Sequence, residues 1–150
     1  SNTISDPVRG AAEVLSRRFW EVPDMLDDVR YIELKSGYAD DGPAWIGRVK
    51  LSKSGRTLYF NGLALQKWYA DRWADVETGQ RYWVSRLKKN GCDRHWAGRG
   101  KVAIDRRLVE DYLRYTGEKT LDENRYTVVD LEDDFPVERF YQYFNESKAL

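Results

Sequence analysis

A chain of 150 residues has the size of one ordinary domain, and no apolar run in it approaches the roughly 20 residues that a membrane-spanning helix needs. Its 25 basic and 25 acidic residues cancel, which excludes a uniformly basic or acidic protein. A single cysteine cannot form an internal disulfide, and the N-terminus lacks the basic and apolar regions of a secretory signal. We therefore expect a cytoplasmic protein that needs no membrane to function.

The first region, residues 1–28, is predicted to be a helical extension. Asp6 suits the N-cap, Pro7 suits the first helical position, and apolar residues recur at helical spacing as far as Phe19. Pro23 should end this helix, because proline cannot donate the backbone hydrogen bond that a helix interior requires.

The second region, residues 29–116, is predicted to hold a β-rich core followed by a helix. Glycines separate short runs of aromatic and β-branched residues, a pattern typical of strands. These runs predict strands near residues 29–35, 44–52, 57–67, 81–88 and 101–104. In the second strand, the alternation of Trp45 and Arg48 predicts one core face and one basic face. Gly55 should form a hairpin turn, and Gly62 a tight turn or a bulge.

The helix of this region is predicted to begin after Asp105, which suits the N-cap, and to end at Gly117. Its apolar residues Leu108, Tyr112 and Leu113 recur at helical spacing. We expect them to pack against the sheet.

The third region, residues 117–150, should contain an acidic loop, a strand over residues 125–131 and a C-terminal helix. The apolar stripe of that helix would consist of Val137, Phe140, Tyr141 and Phe144. The whole chain is therefore expected to form a single α+β domain. Its centre would be a curved, mostly antiparallel sheet or small open barrel, flanked by N- and C-terminal helices.

Charge is segregated along the chain despite the zero balance. Residues 81–107 carry nine basic and two acidic side chains, whereas residues 118–134 carry seven acidic and two basic ones. Either these segments neutralise each other, or the basic one presents a face to an anionic partner. The predicted ligand-binding residues of such a face are Lys53, Arg56, Lys88, Lys89, Arg94, His95, Trp96, Arg99 and Lys101.

Residues 90–101 read NGCDRHWAGRGK and contain the only cysteine, Cys92, and the only histidine, His95. One cysteine and one histidine cannot complete a tetrahedral zinc shell, so we predict no metal site. A nucleophile pair would need His95 to activate Cys92, with Asp93 or Asp105 orienting the imidazole. No second motif supports that arrangement, and Cys92 is predicted not to be catalytic.

The same stretch is better interpreted as a recognition loop. Arg94, Arg99 and Lys101 would place cations around the indole of Trp96, and the neighbouring glycines would let the backbone approach a ligand. Aromatic stacking combined with cationic contacts is how single-stranded nucleic acids are bound without sequence preference. The alternative is that Trp96 anchors the loop in the core.

A second aromatic stretch, residues 67–73, is a predicted partner surface. Trp68, Tyr69 and Trp73 fit one side of a short helical turn. They would either cap the sheet or face a protein partner.

Five motifs resemble those of a group of small, uncharacterised bacterial proteins. They are RYIELK (30–35), GPAWIG (42–47), YFNG (59–62), YWVS (82–85) and DRHWAG (93–98). The resemblance covers about residues 30–116 and implies a shared core domain and a bacterial source. It carries no activity.

The leading functional hypothesis is a non-catalytic binding module, without a cofactor, that engages a protein partner. Binding of single-stranded nucleic acid through the basic and aromatic face is the first alternative. An enzyme that uses Cys92 and His95 is the second.

Overall fold

The computed structural model describes residues 22–95, 98–135 and 137–144. Its strands are β1 (Val29–Leu34), β2 (Ala44–Arg48), β3 (Lys50–Leu51), β4 (Thr57–Phe60), β5 (Leu63–Tyr69), β6 (Arg72–Asp75), β7 (Arg81–Arg86), β8 (Val102–Asp105) and β9 (Tyr126–Val129). They form one sheet in the order β3-β4-β5-β6-β7-β1-β2-β8-β9, which curls into a half-barrel.

Helices are short in the described part of the chain. An α-helix, α1, spans Val109–Thr116, and 3₁₀-helices span Asp24–Leu26, Arg106–Leu108 and Val137–Phe140. Residues 141–144 continue the last of these as α-helix. Most of the predicted N-terminal helix lies outside the described residues, which begin at residue 22.

The predicted fold class, an α+β domain around a curved, mostly antiparallel sheet, is confirmed. Among the described strand pairs, six are antiparallel, and only the β2–β8 and β8–β9 pairs are parallel.

Turn chemistry explains where the sheet changes direction. Gly55, with φ of 74°, lies in the hairpin turn between β3 and β4. Asn61 and Gly62 have φ of 45° and 79° and connect β4 to β5 as a tight turn, so the predicted strand 57–67 is two strands. Asparagine and glycine suit such a turn because both tolerate positive φ.

Two sequence predictions about local structure were wrong. The predicted strand 44–52 breaks at Val49, so β2 lies next to β1 and β8, whereas β3 is an edge strand beside β4. The predicted helical turn over residues 67–73 is instead the β5–β6 hairpin, which turns at Ala70 with φ of 44°. Aromatic residues are as typical of strands as of a helical stripe, and the short stretch did not separate the two.

Both faces of the central strands are buried, because each face packs against a different part of the molecule. On the outer face, Tyr31 and Ile46 pack with Leu108 and Tyr112 from the α1 region. On the inner face of the half-barrel, a second cluster contains Ile32, Phe60, Leu65, Trp73 and Val84. The prediction of a purely basic face on β2 was therefore wrong, since Ile46 on that face is buried.

The end of β8 leads directly into the helices that cover the outer face. The Asp105 side chain accepts a hydrogen bond from the backbone N–H of Arg107, as predicted for an N-cap. Gly117 closes α1 in the left-handed conformation, also as predicted. The helix buries Tyr112 and Tyr115, whereas Leu113 is only half-buried.

The segment after β9 packs against the sheet through Leu131, beside the inner cluster, and through Phe140, in a separate cluster. A Cβ at Gly47 would lie 2.7 Å from Leu131 Cδ1 and 2.8 Å from Phe60 Cε1, so the absence of a side chain on β2 admits Leu131. Phe140 is fully buried against β4 and β5, as the predicted apolar stripe requires. Tyr141 was predicted to belong to the same stripe, and this was wrong, because its side chain is 52% exposed. None of the helices described is long and apolar enough to cross a membrane.

Candidate functional site

The predicted recognition loop lies across the outer face of the sheet. Strands β7 and β8 run in the same direction and are separated by β1 and β2, so residues 87–101 must cross over these two strands. Local side-chain hydrogen bonds fold this crossover loop: the Asp93 carboxylate accepts from the Lys88 N–H at 2.8 Å, and Asn90 Oδ1 accepts from the Cys92 N–H at 2.9 Å.

Arg94 attaches the crossover loop to the loop that follows β1. Its side chain is 8% exposed and donates to the carbonyl oxygens of Asp40 at 2.5 Å and Gly42 at 2.7 Å. A Cβ at Gly98 would clash with the Asp40 carbonyl oxygen and with the Arg94 side chain. Arg94 and Gly98 therefore serve loop packing, which corrects the prediction that the glycine there lets a ligand approach.

A buried charged group on β1 lies beneath Arg94. Glu33 is 2% exposed, and its Oε1 accepts from the Tyr31 hydroxyl at 2.5 Å, while its Oε2 lies 2.6 Å from Lys35 Nζ. Burial, followed by the bond to Glu33, raises the pKa of Tyr31 well above its usual range. Arg94 Nη1 lies 4.0 Å from Glu33 Oε1, so the crossover loop is joined to the sheet by charge as well as by packing.

The crossover loop borders a cleft of about 500 Å³, here called the loop cleft. Its polar wall includes Lys88, Asp93, Arg94, Arg99, Arg125 and Tyr126, and its apolar wall includes Ile46 and Val102.

The structure brings together only part of the predicted ligand-binding set. Lys88, Arg94, His95 and Arg99 line the loop cleft. The residues outside its lining are Lys53, Arg56, Lys89 and Lys101, and Trp96 lies outside the described residues. The lining residues Arg125 and Tyr126 were not predicted; they follow the acidic loop, and only the strand order places them beside Val102.

The loop cleft is cationic. Within the described parts of the chain, no acidic side chain lies within the 4.0 Å ion-pair distance of Lys88, Arg99 or Arg125. The carboxyl of its lining is Asp93, whose pKa is raised to about 6 by burial, against the opposing effect of the hydrogen bond from the Lys88 N–H.

The acidic segment 118–134 forms its ion pairs outside the loop cleft. Asp130 lies 3.1 Å from Arg106 Nε, and Asp133 lies 2.5 Å from Arg107 Nη1. The basic and acidic segments thus neutralise each other in part, at the end of β8, and the cations of the loop cleft are not involved.

Cys92 and His95 do not form the pair that nucleophilic catalysis requires. The exposed Cys92 thiol donates to the Asn90 carbonyl oxygen at 3.6 Å, and His95 Nδ1 lies 3.4 Å from Asp40 Oδ2. Asp105 caps the helix beyond β8. No three or more His, Cys, Asp or Glu side chains converge as metal ligands in the ranges that the structure describes.

The other exposed feature lies on the β5–β6 hairpin. Trp68 is 51% and Tyr69 65% exposed, whereas Trp73 is 5% exposed in the inner core, so the prediction that Trp73 belongs to a partner surface was wrong. The guanidinium carbon of Arg81 lies 4.4 Å from the Trp68 ring centre, and that of Arg72 lies 5.7 Å from it.

Trp68, Arg72 and Arg81 border a groove of about 410 Å³, to which Lys35, Tyr82 and Trp83 also contribute. We call Lys35, Trp68, Tyr69, Arg72 and Arg81 the Trp68 surface. The register of the β5–β6 pair shifts between Lys67 and Tyr69, and this irregularity lies at Trp68. A bulge of this kind changes the direction in which a side chain points. The sequence alone does not reveal where the bulge lies.

Comparison with known proteins adds nothing to these geometric observations. No family model, no curated protein and no solved structure matches the chain. The resemblance to small bacterial proteins stays a prediction, and a functional conclusion must rest on the two surfaces described above.

Proposed function

We propose that this protein is a non-catalytic binding module that engages an acidic segment of a protein partner through the Trp68 surface. The observation that supports this most directly is the arrangement of Arg81 and Arg72 around the exposed Trp68 indole. The proposal also places the protein in the reducing cytoplasm, where an exposed cysteine such as Cys92 remains a thiol.

The chemistry of these residues suits a protein interface. Tryptophan, tyrosine and arginine carry much of the binding energy at such interfaces, because they combine a large apolar area with hydrogen-bonding capacity. Trp68 and Tyr69 supply that area, and Trp83 extends it into the groove. A partner that covers the indoles would remove apolar surface from water, which favours association.

Charge favours an acidic partner. No acidic side chain among the described residues lies within 4.0 Å of Arg72 or Arg81, whereas Lys35 is already paired with Glu33 and Asp40. Stacking on Trp68 restricts the guanidinium of Arg81, so less conformational entropy is lost when it forms a bidentate bond with a carboxylate.

Nucleic acid is the less favoured partner for this surface. Arg81 already covers the Trp68 ring at 4.4 Å, so a base could stack there only after displacing it. The zero net charge of the chain also gives little long-range attraction for a polyanion.

A peptide-display selection on the immobilised protein tests the proposal. We expect enrichment of peptides rich in Asp and Glu, with binding weakened at least about tenfold by Trp68→Ser or Arg81→Glu, since each removes a central contact of the interface. Tyr141→Ser is the matched control, because Tyr141 has the same exposure but lies outside the Trp68 surface.

Selection of no acidic peptides, or equal binding by Trp68→Ser and the wild-type protein, would contradict the proposal. A salt-sensitive affinity for a 15-nucleotide poly-dT that is lost in Arg81→Glu would replace the protein partner with single-stranded nucleic acid.

A further inference from the structure

We propose that the loop cleft is a second binding site, independent of the Trp68 surface, for a small organic anion. Its carboxylate or phosphate group would be held by Lys88, Arg99 and Arg125. The apolar part of the molecule would contact Ile46 and Val102.

The three cations are distant in sequence. Lys88 and Arg99 lie near opposite ends of the crossover loop, and Arg125 precedes β9, yet all three line one cleft. Placing three cations around a concave surface that holds a single carboxyl, Asp93, costs folding free energy, and it raises the local concentration of anions. A site that retains such a cost is a candidate for function.

The wall around Arg125 is held in place before any ligand binds. Arg125 Nη2 donates to the Gly91 carbonyl oxygen at 2.7 Å, and the Tyr126 hydroxyl donates to the same oxygen at 3.1 Å. The Tyr126 hydroxyl also lies 2.8 Å from that of Tyr112. Gly91 can present its carbonyl this way because it adopts φ of 72°, which is unfavourable for other residues. A site fixed in this manner loses little entropy on binding.

A buried donor in the same wall has an unmet hydrogen bond. The Nη atoms of Arg94 bond to the carbonyl oxygens of the β1–β2 loop, but its buried Nε has no hydrogen-bond partner among the described residues. Because this Nε has almost no accessible surface, a ligand in the cleft would not contact it, and Arg94 serves the site by fixing the crossover loop.

The size and lining define the class of ligand. A cleft of about 500 Å³ is of the size that accommodates small organic molecules, and it combines a few charged groups with an apolar wall. Carboxylates and phosphates share the charge that these cations recognise. The proposed ligand is therefore defined by its anionic group. The experiment below distinguishes a carboxylate from a phosphate.

Isothermal titration calorimetry of the full chain with citrate, glycerol 3-phosphate and inorganic phosphate tests the inference. We expect saturable binding of one probe per chain. Lys88→Gln and Arg99→Gln should each weaken it at least about tenfold, as expected for loss of a charged contact in a partly enclosed site. Lys101→Gln is the matched control, because Lys101 is a neighbouring exposed cation outside the cleft lining, and it should change affinity less than twofold.

Binding of citrate alone would identify a carboxylate site, and binding of the phosphates alone a phosphate site. The inference is overturned if no probe binds saturably, or if Lys101→Gln weakens binding as much as Lys88→Gln does. Far-ultraviolet circular dichroism of each variant separates loss of binding from loss of folding. Since Trp68→Ser leaves the cleft intact, that variant should bind the probe with unchanged affinity, whether or not the Trp68 surface has a partner.

Discussion

Arg81 lies over the exposed indole of Trp68, with its guanidinium carbon 4.4 Å from the ring centre. Trp73, five residues further along the same hairpin, is buried on the opposite face of the sheet. The β5–β6 hairpin thus carries one exposed and one buried tryptophan. Substituting each in turn separates a role in binding from a role in folding.

We predict that Trp68→Ala lowers the free energy of unfolding by no more than about 1 kcal/mol, the value of an exposed cation–π contact. Trp73→Ala should lower it by about 3–5 kcal/mol, because it removes a large buried side chain. Urea unfolding followed by circular dichroism measures both values. Equal losses in the two variants would show that Trp68 is structural.

The buried Asp93 should make stability depend on pH. Burial raises its pKa from 3.8 to about 6, so between these values the folded state binds the proton more tightly than the unfolded state does. The contribution of Asp93 to stability is therefore lost as pH rises through this window. Full ionisation in the folded state would cost on the order of 3 kcal/mol.

We therefore expect Asp93→Asn to flatten the decline in unfolding free energy between pH 4 and pH 7, relative to the wild-type protein. The Lys88 N–H and the Tyr112 hydroxyl face this group and would still find a polar partner in asparagine. Glu118→Gln, an exposed carboxylate, is the control and should leave the slope unchanged. An identical slope in Asp93→Asn and wild type would contradict the assignment.

The contact between the crossover loop and the β1–β2 loop can be tested by substituting two glycines of the crossover loop. A Cβ at Gly98 would clash with the Asp40 carbonyl oxygen and lie 2.9 Å from the Arg94 side chain, whereas a Cβ at Gly100 has 3.4 Å to its nearest neighbour. We predict that Gly98→Ala costs about 1–3 kcal/mol of stability, the usual price of overpacking, and that Gly100→Ala costs less than about 1 kcal/mol. A comparison of thermal unfolding midpoints is sufficient, and equal midpoints would argue against this contact.

Packing of the helical segment 106–116 against the sheet predicts that two leucines contribute differently to the free energy of unfolding. Leu108 is fully buried, and Leu113 is half-buried. Leu108→Ala should cost about 2–5 kcal/mol, because it leaves a cavity in the outer core, and Leu113→Ala clearly less. Chemical denaturation of both variants measures the difference, and a larger loss for Leu113→Ala would place the wrong face of the helix on the sheet.

Local chemistry made part of this fold predictable. Asp105 and Gly117 delimit the helical segment after β8 because capping depends on one or two residues, and Asn61–Gly62 forms a turn for the same reason. Strand pairing depends on the whole chain. The break at Val49 and the parallel pairing of β8 with β2 follow from how the sheet curls, which no short stretch encodes.

The candidate site was predictable only in part. The charge count drew attention to Lys88, Arg94 and Arg99, which line the loop cleft. It could not separate them from Lys53 and Arg56, since charge along a sequence carries no information about distance in space. Arg125 was missed because it belongs to a segment that is acidic overall.

The most direct test of the proposed function is the ¹⁵N–¹H spectrum of the indole N–H groups during titration with a display-selected acidic peptide. The chain has six tryptophans, and the Trp68 signal is identified by its loss in Trp68→Phe. The proposal predicts a saturable shift of the Trp68 signal, no comparable shift of the buried Trp73 signal, and loss of the effect in Arg81→Glu. A Trp68 signal that stays unchanged while the peptide binds, or that shifts equally in Arg81→Glu, would contradict the proposal.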